Sequence, residues 1–360
     1  METRGKKYLY EIVYSALKKE IMEEVFPYDV FLPSEKEISA RFDVDRATVR
    51  KALDFLVSDG FVEKRAGAGT KVIYRKNHQL PSHDSKMIGF FIVEEEEISK
   101  KITQLFYSDL FYQVENQCKK YSASMLYSTV RSEEELASIL SQQQFHGIIF
   151  ASKTKQSYLT RAEESGVRIA QIQSYHNNGL SICYDSAGAG SLAVEYLIGK
   201  GHRHMAFITG PDDFQSSRDR LSGILSAFFQ HDLTLKKACI FPGNWDFDSG
   251  YDCTKKLLET LSPLPTAIYA FNDMMALGAV RAIRDSGLKI PEDISIMSSD
   301  NIRDLQTMEQ RLTTINVNIT SLAEVAVGYF FNYNMNPPYG TKIIVPVELV
   351  EGDTVLDRNH

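Results

Sequence analysis

The chain has few cysteines, a single tryptophan and no long apolar run. Its cysteines are widely spaced and show no metal-binding interval: Cys118, Cys183, Cys239 and Cys253. This spacing argues against a disulfide framework or a cysteine-ligated metal, and it indicates reduced thiols in a cytoplasmic protein. No stretch of about 18 apolar residues occurs, so no membrane span is predicted. The opening METRGKK is not followed by an apolar segment, which argues against a signal peptide.

An excess of positive charge is also missing. The 360 residues carry a net charge of −7, which taken alone argues against a nucleic-acid partner. The charge is uneven, however, because residues 1–76 sum to +2 and the remainder to −9. A length of 360 residues predicts two or three domains. Any nucleic-acid surface must therefore come from local basic residues in the first of them.

The stretch 32–60, LPSEKEISARFDVDRATVRKALDFLVSDG, predicts two short helices joined by a turn. Ser34 and Glu37 have the spacing of a capping box, which starts the first helix. Asp45 can cap the second helix, and Arg46 and Arg50 lie four residues apart near its start. Gly60 suits the end of that helix. The arrangement is typical of a helix-turn-helix, although an ordinary helical pair with a solvated arginine face has the same pattern.

A hairpin after these helices favours the DNA-binding interpretation. Residues 61–65 and 70–74 predict two strands, and the glycine-rich AGAG between them predicts the turn. An amphipathic first helix is predicted over 8–25. The motifs LPSEKEIS, VDRATVRKAL and DGFVEKRAGAGTKV, in this order, resemble the GntR family of winged-helix regulators over roughly residues 8–75.

The GntR resemblance implies a DNA-binding surface. Carried over by position, the residues expected at phosphates and base edges are Lys36, Arg46, Thr48 and Arg50, and those at the wing tip are Ala66 and Gly67. Where the family usually has Ser or Thr, this chain has Asp45. An acid so close to phosphates is expected to cap the helix instead of touching DNA, or to weaken a nonspecific contact.

The remainder of the chain predicts a second, larger domain. Residues 75–86 are polar and aperiodic, and we assign 76–86 as a linker after the winged-helix domain of residues 1–75. From residue 87 onward short buried strands alternate with helices, which predicts parallel sheets covered on both faces. The length predicts two α/β lobes with ligand-binding loops at the carboxyl ends of the strands. We expect the first lobe over about 87–184 and 315–338, and the second over about 185–314 and 339–360.

Several strand-end motifs resemble the effector domain of the LacI/GalR family over roughly residues 86–355, itself similar to periplasmic sugar-binding proteins. They are SRDRLSGILSAF, AIYAFNDMMALGAV, KIPEDISIMSSDN and LTTI. The resemblance implies ligand contacts from Arg220, Asn272 and Asp300, with Trp245 stacking on the ligand and Gln173 at a polar strand end. These side chains suit a polyol, because they accept and donate hydrogen bonds and the indole offers an apolar face.

Alternatives remain for these residues. An Arg–Asp pair buried between two lobes has a purely structural interpretation, and so do Trp245 and Gln173. The family commonly has Gly-Tyr before the aspartate, where this chain has Ser298-Ser299, and often Asp at the position of Gln173. Ligand specificity therefore does not transfer from any member.

Two further motifs have simpler interpretations. The Gly188-Ala189-Gly190 segment lacks the full dinucleotide-binding context, so we interpret it as the start of a helix. His202 and His204 have no third metal ligand nearby, which favours a turn before a strand. No nucleophile–base arrangement, metal or cofactor is predicted.

The sequence thus predicts a multi-domain fold: an α+β winged helix followed by a two-lobed α/β domain of the periplasmic-binding-protein type. A chain that combines these two domains resembles the arabinose-repressor type of regulator. The two resemblances imply a cytoplasmic homodimer that binds double-stranded operator DNA, represses carbohydrate-utilisation genes and is released by a monosaccharide such as arabinose. A regulator of a nucleobase or another non-sugar metabolite is the alternative within this class. An α/β enzyme, such as a dehydrogenase or sugar kinase, is the alternative outside it, but it lacks a phosphate loop and leaves the winged helix unexplained.

Overall fold

The computed structural model consists of an N-terminal helical domain and a two-lobed α/β domain. The structure describes residues 9–23, 25–58, 61–65, 69–74, 86–94, 105–151, 153–175, 179–302, 310–332, 337 and 340–359. The expected linker, apart from residue 86, therefore lies outside the described residues. Among the described residues, no helix is both long enough and apolar enough to cross a lipid bilayer.

The N-terminal domain has the predicted winged-helix elements. Its helices are α1 (Leu9–Met22), α2 (Glu35–Phe42) and α3 (Arg46–Ser58), and its antiparallel strands are β1 (Val62–Arg65) and β2 (Gly69–Val72). One apolar face of each helix is buried with the hairpin in a single core that includes Val13, Ile38 and Leu53. The capping box is present, because the Ser34 amide donates to Glu37 Oε2 at 2.8 Å and the Glu37 amide donates to Ser34 Oγ at 3.3 Å. Gly60 lies outside the described residues.

The N-terminal lobe is built on a six-stranded parallel sheet. Its strands, in spatial order, are β13 (Lys342–Val345), β7 (Leu180–Tyr184), β6 (Ile169–Ile172), β5 (Gly147–Ala151), β3 (Met87–Val93) and β4 (Ser124–Val130). Its helices are α4 (Leu105–Lys120), α5 (Glu133–Gln142), α6 (Gln156–Glu163) and α11 (Ile319–Phe331). Apolar side chains cover both faces of this sheet, as parallel sheets require.

The C-terminal lobe repeats this design. Its strands, in spatial order, are β14 (Glu348–Val350), β12 (Thr313–Asn316), β11 (Ser295–Asp300), β10 (Ala267–Ala270), β8 (Met205–Thr209) and β9 (Ile240–Pro242). All are parallel except β14, which pairs antiparallel with β12. Its helices are α7 (Ser186–Gly199), α8 (Gln215–Gln230), α9 (Phe247–Thr260) and α10 (Asp273–Asp285), with a short 3-10 turn at Lys237–Cys239.

The chain crosses between the lobes three times, and one expected boundary is wrong. We expected residues 339–360 in the C-terminal lobe, but β13 pairs with β7 of the N-terminal lobe. We expected the N-terminal lobe to resume at about residue 315, and β12 ends in the C-terminal sheet at Asn316, which agrees to within two residues. Strand identity alone does not tell which of two similar sheets a short strand joins, because pairing is a tertiary choice.

Helices α7 and α8 pack unusually closely, and small residues permit it. A Cβ at Gly223 would lie 1.9 Å from the carbonyl oxygen of Ala187, and one at Gly190 would lie 2.2 Å from that of Arg220. The segment 188–190 is thus part of helix α7, whose N-terminus is capped by Asp185, as we interpreted it. This contact sets the position of α8, which carries Arg220 into the molecule.

Candidate functional site

Helices α2 and α3 present the polar residues that the sequence predicts at DNA. Lys36, Arg46 and Arg50 are exposed and Thr48 is half-buried, whereas Val49 on the opposite face of α3 is fully buried. Lys36 therefore projects from the start of α2, and Arg46 and Arg50 project from the N-terminal end of α3, without contributing to the core. Such a helix end, with its free amides and basic residues, can approach a DNA backbone.

Arg50 is held by a residue of the preceding helix. Its Nε donates to both carboxylate oxygens of Glu35 at 3.1 Å, and its Nη2 donates to Oε2 at 3.0 Å. The hydrogen bond from Arg50 lowers the pKa of Glu35. Since this pair is solvent-exposed, it contributes little to stability. It orients the guanidinium, and a phosphate or base edge can replace the carboxylate.

Asp45 caps α3, which confirms the role expected of this departure from the family pattern. Its Oδ1 accepts a hydrogen bond from the amide of Thr48 at 2.7 Å, and this bond lowers the pKa of Asp45. The expected wing-tip residues Ala66 and Gly67 lie outside the described residues.

In the α/β domain, four of the five predicted ligand residues lie at the carboxyl ends of strands, and the fifth, Arg220, is on a helix. Trp245 follows β9, Asn272 follows β10 and Asp300 ends β11, while Arg220 enters from α8; Gln173 follows β6 of the other lobe. The Arg–Asp pair between lobes, which we kept as an alternative, is not formed, since Arg220 and Asp300 both belong to the C-terminal lobe.

Arg220 is fully buried at the centre of this site. Its Nη1 donates to the carbonyl oxygen of Phe271, and its Nη2 donates to the hydroxyl of Tyr184 at 2.8 Å. The guanidinium lies 5.5 Å from the ring centre of Tyr184 and 5.1 Å from that of Phe271. Burial raises the pKa of Tyr184 to about 12, so its hydroxyl remains neutral. The Nε of Arg220 has no partner.

Two buried carboxyl groups lie side by side near this arginine. Asp273, at the start of α10, accepts hydrogen bonds from Ser298 Oγ at 2.5 Å and Thr314 Oγ1 at 2.9 Å. Burial raises the pKa of Asp273 to about 6. Burial and the adjacent Asp273 carboxylate raise the pKa of Asp300 well above its usual range. The unusual Ser298 therefore has a partner inside the fold, and so does Ser299, whose hydroxyl lies 2.6 Å from that of Tyr269.

We expected the side chain of Asn272 to be free to donate to and accept from a ligand. Both of its polar atoms instead have partners within the protein. Its Oδ1 accepts from the amide of Met275 at 2.9 Å and so caps α10. Its Nδ2 donates to the carbonyl oxygen of Trp245 at 2.8 Å. Asn272 thus holds the loop that carries the indole, a tertiary contact that no sequence motif reveals.

Three of the predicted residues have a left-handed backbone: Gln173 at φ 60°, Trp245 at φ 66° and Asp300 at φ 115°. Residues other than glycine rarely adopt such angles, and those that do cluster at functional sites. Several buried polar atoms have no hydrogen-bond partner: Ser217 Oγ, Arg220 Nε and Trp245 Nε1 in the C-terminal lobe, and Gln173 Nε2 and both polar side-chain atoms of Gln171 in the N-terminal lobe. A buried polar group without a partner is costly, so these atoms indicate a ligand site.

Polar contacts join the two lobes beside the site. Lys153 Nζ of the N-terminal lobe lies 2.9 Å from Asp213 Oδ2 of the C-terminal lobe. The hydroxyl of Tyr175 donates to Asp219 Oδ2 at 2.9 Å. Asp213 lies just before α8 and Asp219 lies in its second turn, so the helix that carries Arg220 also receives these contacts.

Sequence reasoning missed several residues of this site. Tyr184 and Phe271 surround the guanidinium, and Asp273 shares its carboxyl environment with Asp300. Ser217 was within reach of the sequence, because it precedes Arg220 by three residues and therefore lies on the same helical face.

The histidines have partners in the fold. The His202 ring nitrogens lie 2.9 Å from Thr266 Oγ1 and 3.0 Å from the carbonyl oxygen of Leu356. His204 Nδ1 lies 3.1 Å from the carbonyl oxygen of Leu264. Within the part of the chain that the structure describes, no three metal-ligating side chains form a group.

A winged helix joined to a two-lobed domain with a polar cleft defines a DNA-binding protein that responds to a small molecule. The family "Bacterial regulatory proteins, gntR family" matches residues 9–72, and the family "Periplasmic binding protein-like domain" matches residues 194–355. The chain thus combines a segment similar to GntR-type DNA-binding domains with a segment similar to periplasmic-binding-protein-like domains.

Curated relatives agree with this class. The probable HTH-type transcriptional repressor ExuR of Bacillus subtilis is 42% identical over 123 residues, which is 34% of this chain and 37% of that protein. The chain thus spans less than two thirds of this relative. The HTH-type transcriptional repressor PurR of Pasteurella multocida is 29% identical over 260 residues, covering 70% of this chain and 75% of that protein. These relatives are DNA-binding regulators and not enzymes.

Solved structures share the fold. The complex of the transcriptional regulator CelR with cellobiose superposes with a TM-score of 0.66 at 20% identity, covering 90% of this chain and all of that one. A lac repressor dimer bound to operator and an anti-inducer gives a TM-score of 0.65 at 26% identity, covering 78% and 97%. The predicted fold class is therefore confirmed.

Proposed function

We propose that the protein represses carbohydrate-utilisation genes and is released from its operator by a small sugar bound between the lobes. The observation that carries this proposal is the set of buried polar atoms without partners on Ser217, Arg220 and Trp245. Sugars combine hydroxyl groups with an apolar C–H face, so hydrogen-bonding groups and an aromatic ring together suit them. A pentose such as L-arabinose is the first ligand to examine.

The DNA-binding surface in this proposal consists of Lys36, Arg46, Thr48 and Arg50, with Ala66 and Gly67 at the wing. Lys36 and Arg46 are exposed and free of the core, so they can bind phosphates. When the protein binds DNA, the guanidinium of Arg50 leaves the carboxylate of Glu35 and contacts the DNA instead. We expect a cytoplasmic homodimer that binds a pseudo-palindromic operator, because two DNA-binding domains related by two-fold symmetry require two half-sites.

Release follows from linkage between the two sites. Gln173 and Tyr184 come from one lobe and Arg220 from the other, so a ligand held by both stabilises the closed arrangement. Lys153–Asp213 and Tyr175–Asp219 stabilise the same arrangement. If closure separates the two DNA-binding domains of the dimer, the ligand weakens operator binding by its differential affinity, typically about 1–3 kcal/mol.

A regulator that senses a nucleobase is the second candidate. It is favoured by the relatives named PurR, which align with more of this chain than ExuR does. The pair Phe214–Trp245, with ring centres 5.8 Å apart, offers aromatic surface to a planar ligand.

Tryptophan fluorescence tests the proposal directly, because Trp245 is the only tryptophan and lies in the cleft. We would titrate the full chain with pentoses, hexoses, their acids and purines, and repeat each titration by calorimetry. Saturable binding of a sugar, with a matching loss of operator affinity, supports the proposal. Binding of a purine alone, while every sugar and sugar acid fails, contradicts it and supports the second candidate.

A further inference from the structure

The N-terminal lobe has a basic end at the point where the linker joins it. The amide of Ser124 donates to the carbonyl oxygen of Lys86 at 2.8 Å, so the chain enters the lobe beside the start of β4. The amine of Lys86 lies 3.4 Å from the carbonyl oxygen of Tyr121, which directly follows α4. Lys119 and Lys120 lie in the last turn of that helix. Three lysines therefore meet at the amino ends of β3 and β4, and we call Lys86, Lys119 and Lys120 the linker-end patch.

Stacked rings fix the end of α4 on the lobe. The ring of Phe331, the last residue of α11, lies between those of Tyr121 and His146, with ring centres 4.6 Å and 4.5 Å away. His146 directly precedes β5, and its Nε2 lies 3.0 Å from the carbonyl oxygen of Phe330. The lysines of the patch are thus attached to a well-packed part of the lobe, while their side chains are exposed.

The patch is positive within an acidic domain. Among the described residues, the carboxylate that pairs with it is that of Glu115, which lies 3.0 Å from Lys119 Nζ in an exposed pair. Such a pair is weak, and a phosphate can replace the carboxylate. Three lysines and one glutamate leave a charge of +2, whereas residues 77–360 together carry −9.

The place of these lysines distinguishes them from other lysines near helix ends. Lysines often complement the dipole at the end of a helix, and Lys255 and Lys256 in the second half of α9 are of this kind. The linker-end patch is different, because residues 76–86 lead from it to the winged helix. Fully extended, this linker spans about 40 Å at most, so DNA bound by the winged helix stays close to the patch. An acidic domain held near DNA is repelled unless its basic end faces the phosphates.

We propose that the linker-end patch is a second DNA-binding surface, at which Lys86, Lys119 and Lys120 contact phosphates beside the DNA held by the winged helix. This inference rests on the proposed function, because it requires the winged helix to bind DNA. The contacts carry no sequence information, since they are made to the backbone. They raise the affinity for DNA and orient the effector domain. The amino ends of β3 and β4 then face the DNA, and the cleft at the carboxyl ends of the strands faces away from it.

The salt dependence of DNA binding tests this inference. We would measure binding of the full chain to a fluorescein-labelled duplex of about 40 base pairs of mixed sequence, by fluorescence anisotropy from about 50 to 200 mM KCl. A plot of log affinity against log salt concentration falls with a slope of about 0.9 for each phosphate contact. The double variant Lys119→Gln/Lys120→Gln should therefore reduce this slope by about 1 to 2 per chain, and Lys86→Gln by about 1.

Lys255→Gln/Lys256→Gln is the matched control, because it removes the same charge from adjacent lysines of the other lobe. It should leave the slope unchanged. An equal loss of slope in both double variants would mean that DNA responds only to net charge, and an unchanged slope in Lys119→Gln/Lys120→Gln would mean that the patch does not meet DNA. Tighter binding by that variant would mean that the patch holds an acidic part of the protein. Each of these three results overturns the inference.

One more variant separates the inference from the proposed function. If Arg50→Ala weakens binding to the duplex while the lysine variants bind like the parent, the winged helix binds DNA and only the second surface is wrong. A parent chain that binds no duplex overturns both.

Discussion

Substituting Gly223 by alanine should lower the free energy of unfolding of the effector domain. The loss should lie near the top of the range that is typical of overpacked cores. The added Cβ would lie 1.9 Å from the oxygen, 2.7 Å from the carbonyl carbon and 3.0 Å from the Cα of Ala187. All three are backbone atoms, so no side-chain rotation relieves the clash, and α7 and α8 must separate. Overpacking costs about 1–3 kcal/mol, and we expect about 3 kcal/mol here.

Thermal unfolding followed by tryptophan fluorescence measures this effect. Trp245 lies in the effector domain, so its signal reports on that domain and not on the winged helix. At about 2–4 °C per kcal/mol for a domain of this size, Gly223→Ala should lower Tm by roughly 6–12 °C. Because Arg220 lies one turn away on α8, the variant should also bind effector more weakly.

Gly199→Ala is the matched control. Gly199 ends α7 on its exposed side, and a Cβ there would meet nothing within 4 Å. Alanine is favoured over glycine in helices, so this variant should leave Tm unchanged or raise it slightly. A Tm for Gly223→Ala within about 1 °C of the parent would refute the close α7–α8 packing on which the position of Arg220 depends.

The remaining predictions test the DNA-binding surface, the ligand site and the two buried carboxyl groups one at a time. Arg50→Ala should weaken operator binding about tenfold or more while leaving effector affinity unchanged, measured by fluorescence anisotropy of labelled DNA and by calorimetry. Arg220→Ala should do the reverse: operator is still bound, but effector no longer releases it, because effector affinity falls about tenfold or more. The raised pKa values of Asp273, to about 6, and of Asp300, well above its usual range, give a pH dependence. Acids with raised folded pKa values contribute stability that is complete below their unfolded pKa and is lost as the pH rises through the folded pKa. Between about pH 5 and pH 8, the Trp245-detected Tm of the parent should therefore fall more than that of Asp300→Asn.

Each of these predictions has a control variant or a result that would contradict it. Arg41→Ala serves for the DNA experiment, since Arg41 is an exposed α2 arginine paired with Glu20 and lies outside the proposed DNA-binding set. Equal operator binding by Arg50→Ala and the parent would mean that the recognition helix is misplaced. Effector-induced release that persists in Arg220→Ala would remove this residue from the ligand site. Parallel pH profiles for the parent and Asp300→Asn would show that Asp300 keeps an ordinary pKa.

Asn272 and Ser298 show where prediction from residue types stops. Resemblance pointed to Asn272 as a ligand contact, yet its two polar atoms cap α10 and hold the Trp245 loop. Ser298 stands where the family commonly has glycine, and it donates to the buried Asp273. In both cases the residue type is compatible with several partners, and the partner is selected by elements that are distant in sequence.

The local elements and the order of the domains can be predicted from the amino-acid sequence alone. The capping box at Ser34, the Asp45 cap and the alternation of buried strands with helices depend on residues close together in the chain, and such short-range patterns are legible without coordinates. Tertiary structure alone decided that β13 joins the N-terminal sheet. It also decided that Arg220 is surrounded by Tyr184 and Phe271, and that its Nε is buried without a partner. These features depend on how strands pair and how closely α7 and α8 pack, and both are set by contacts between residues far apart in the chain.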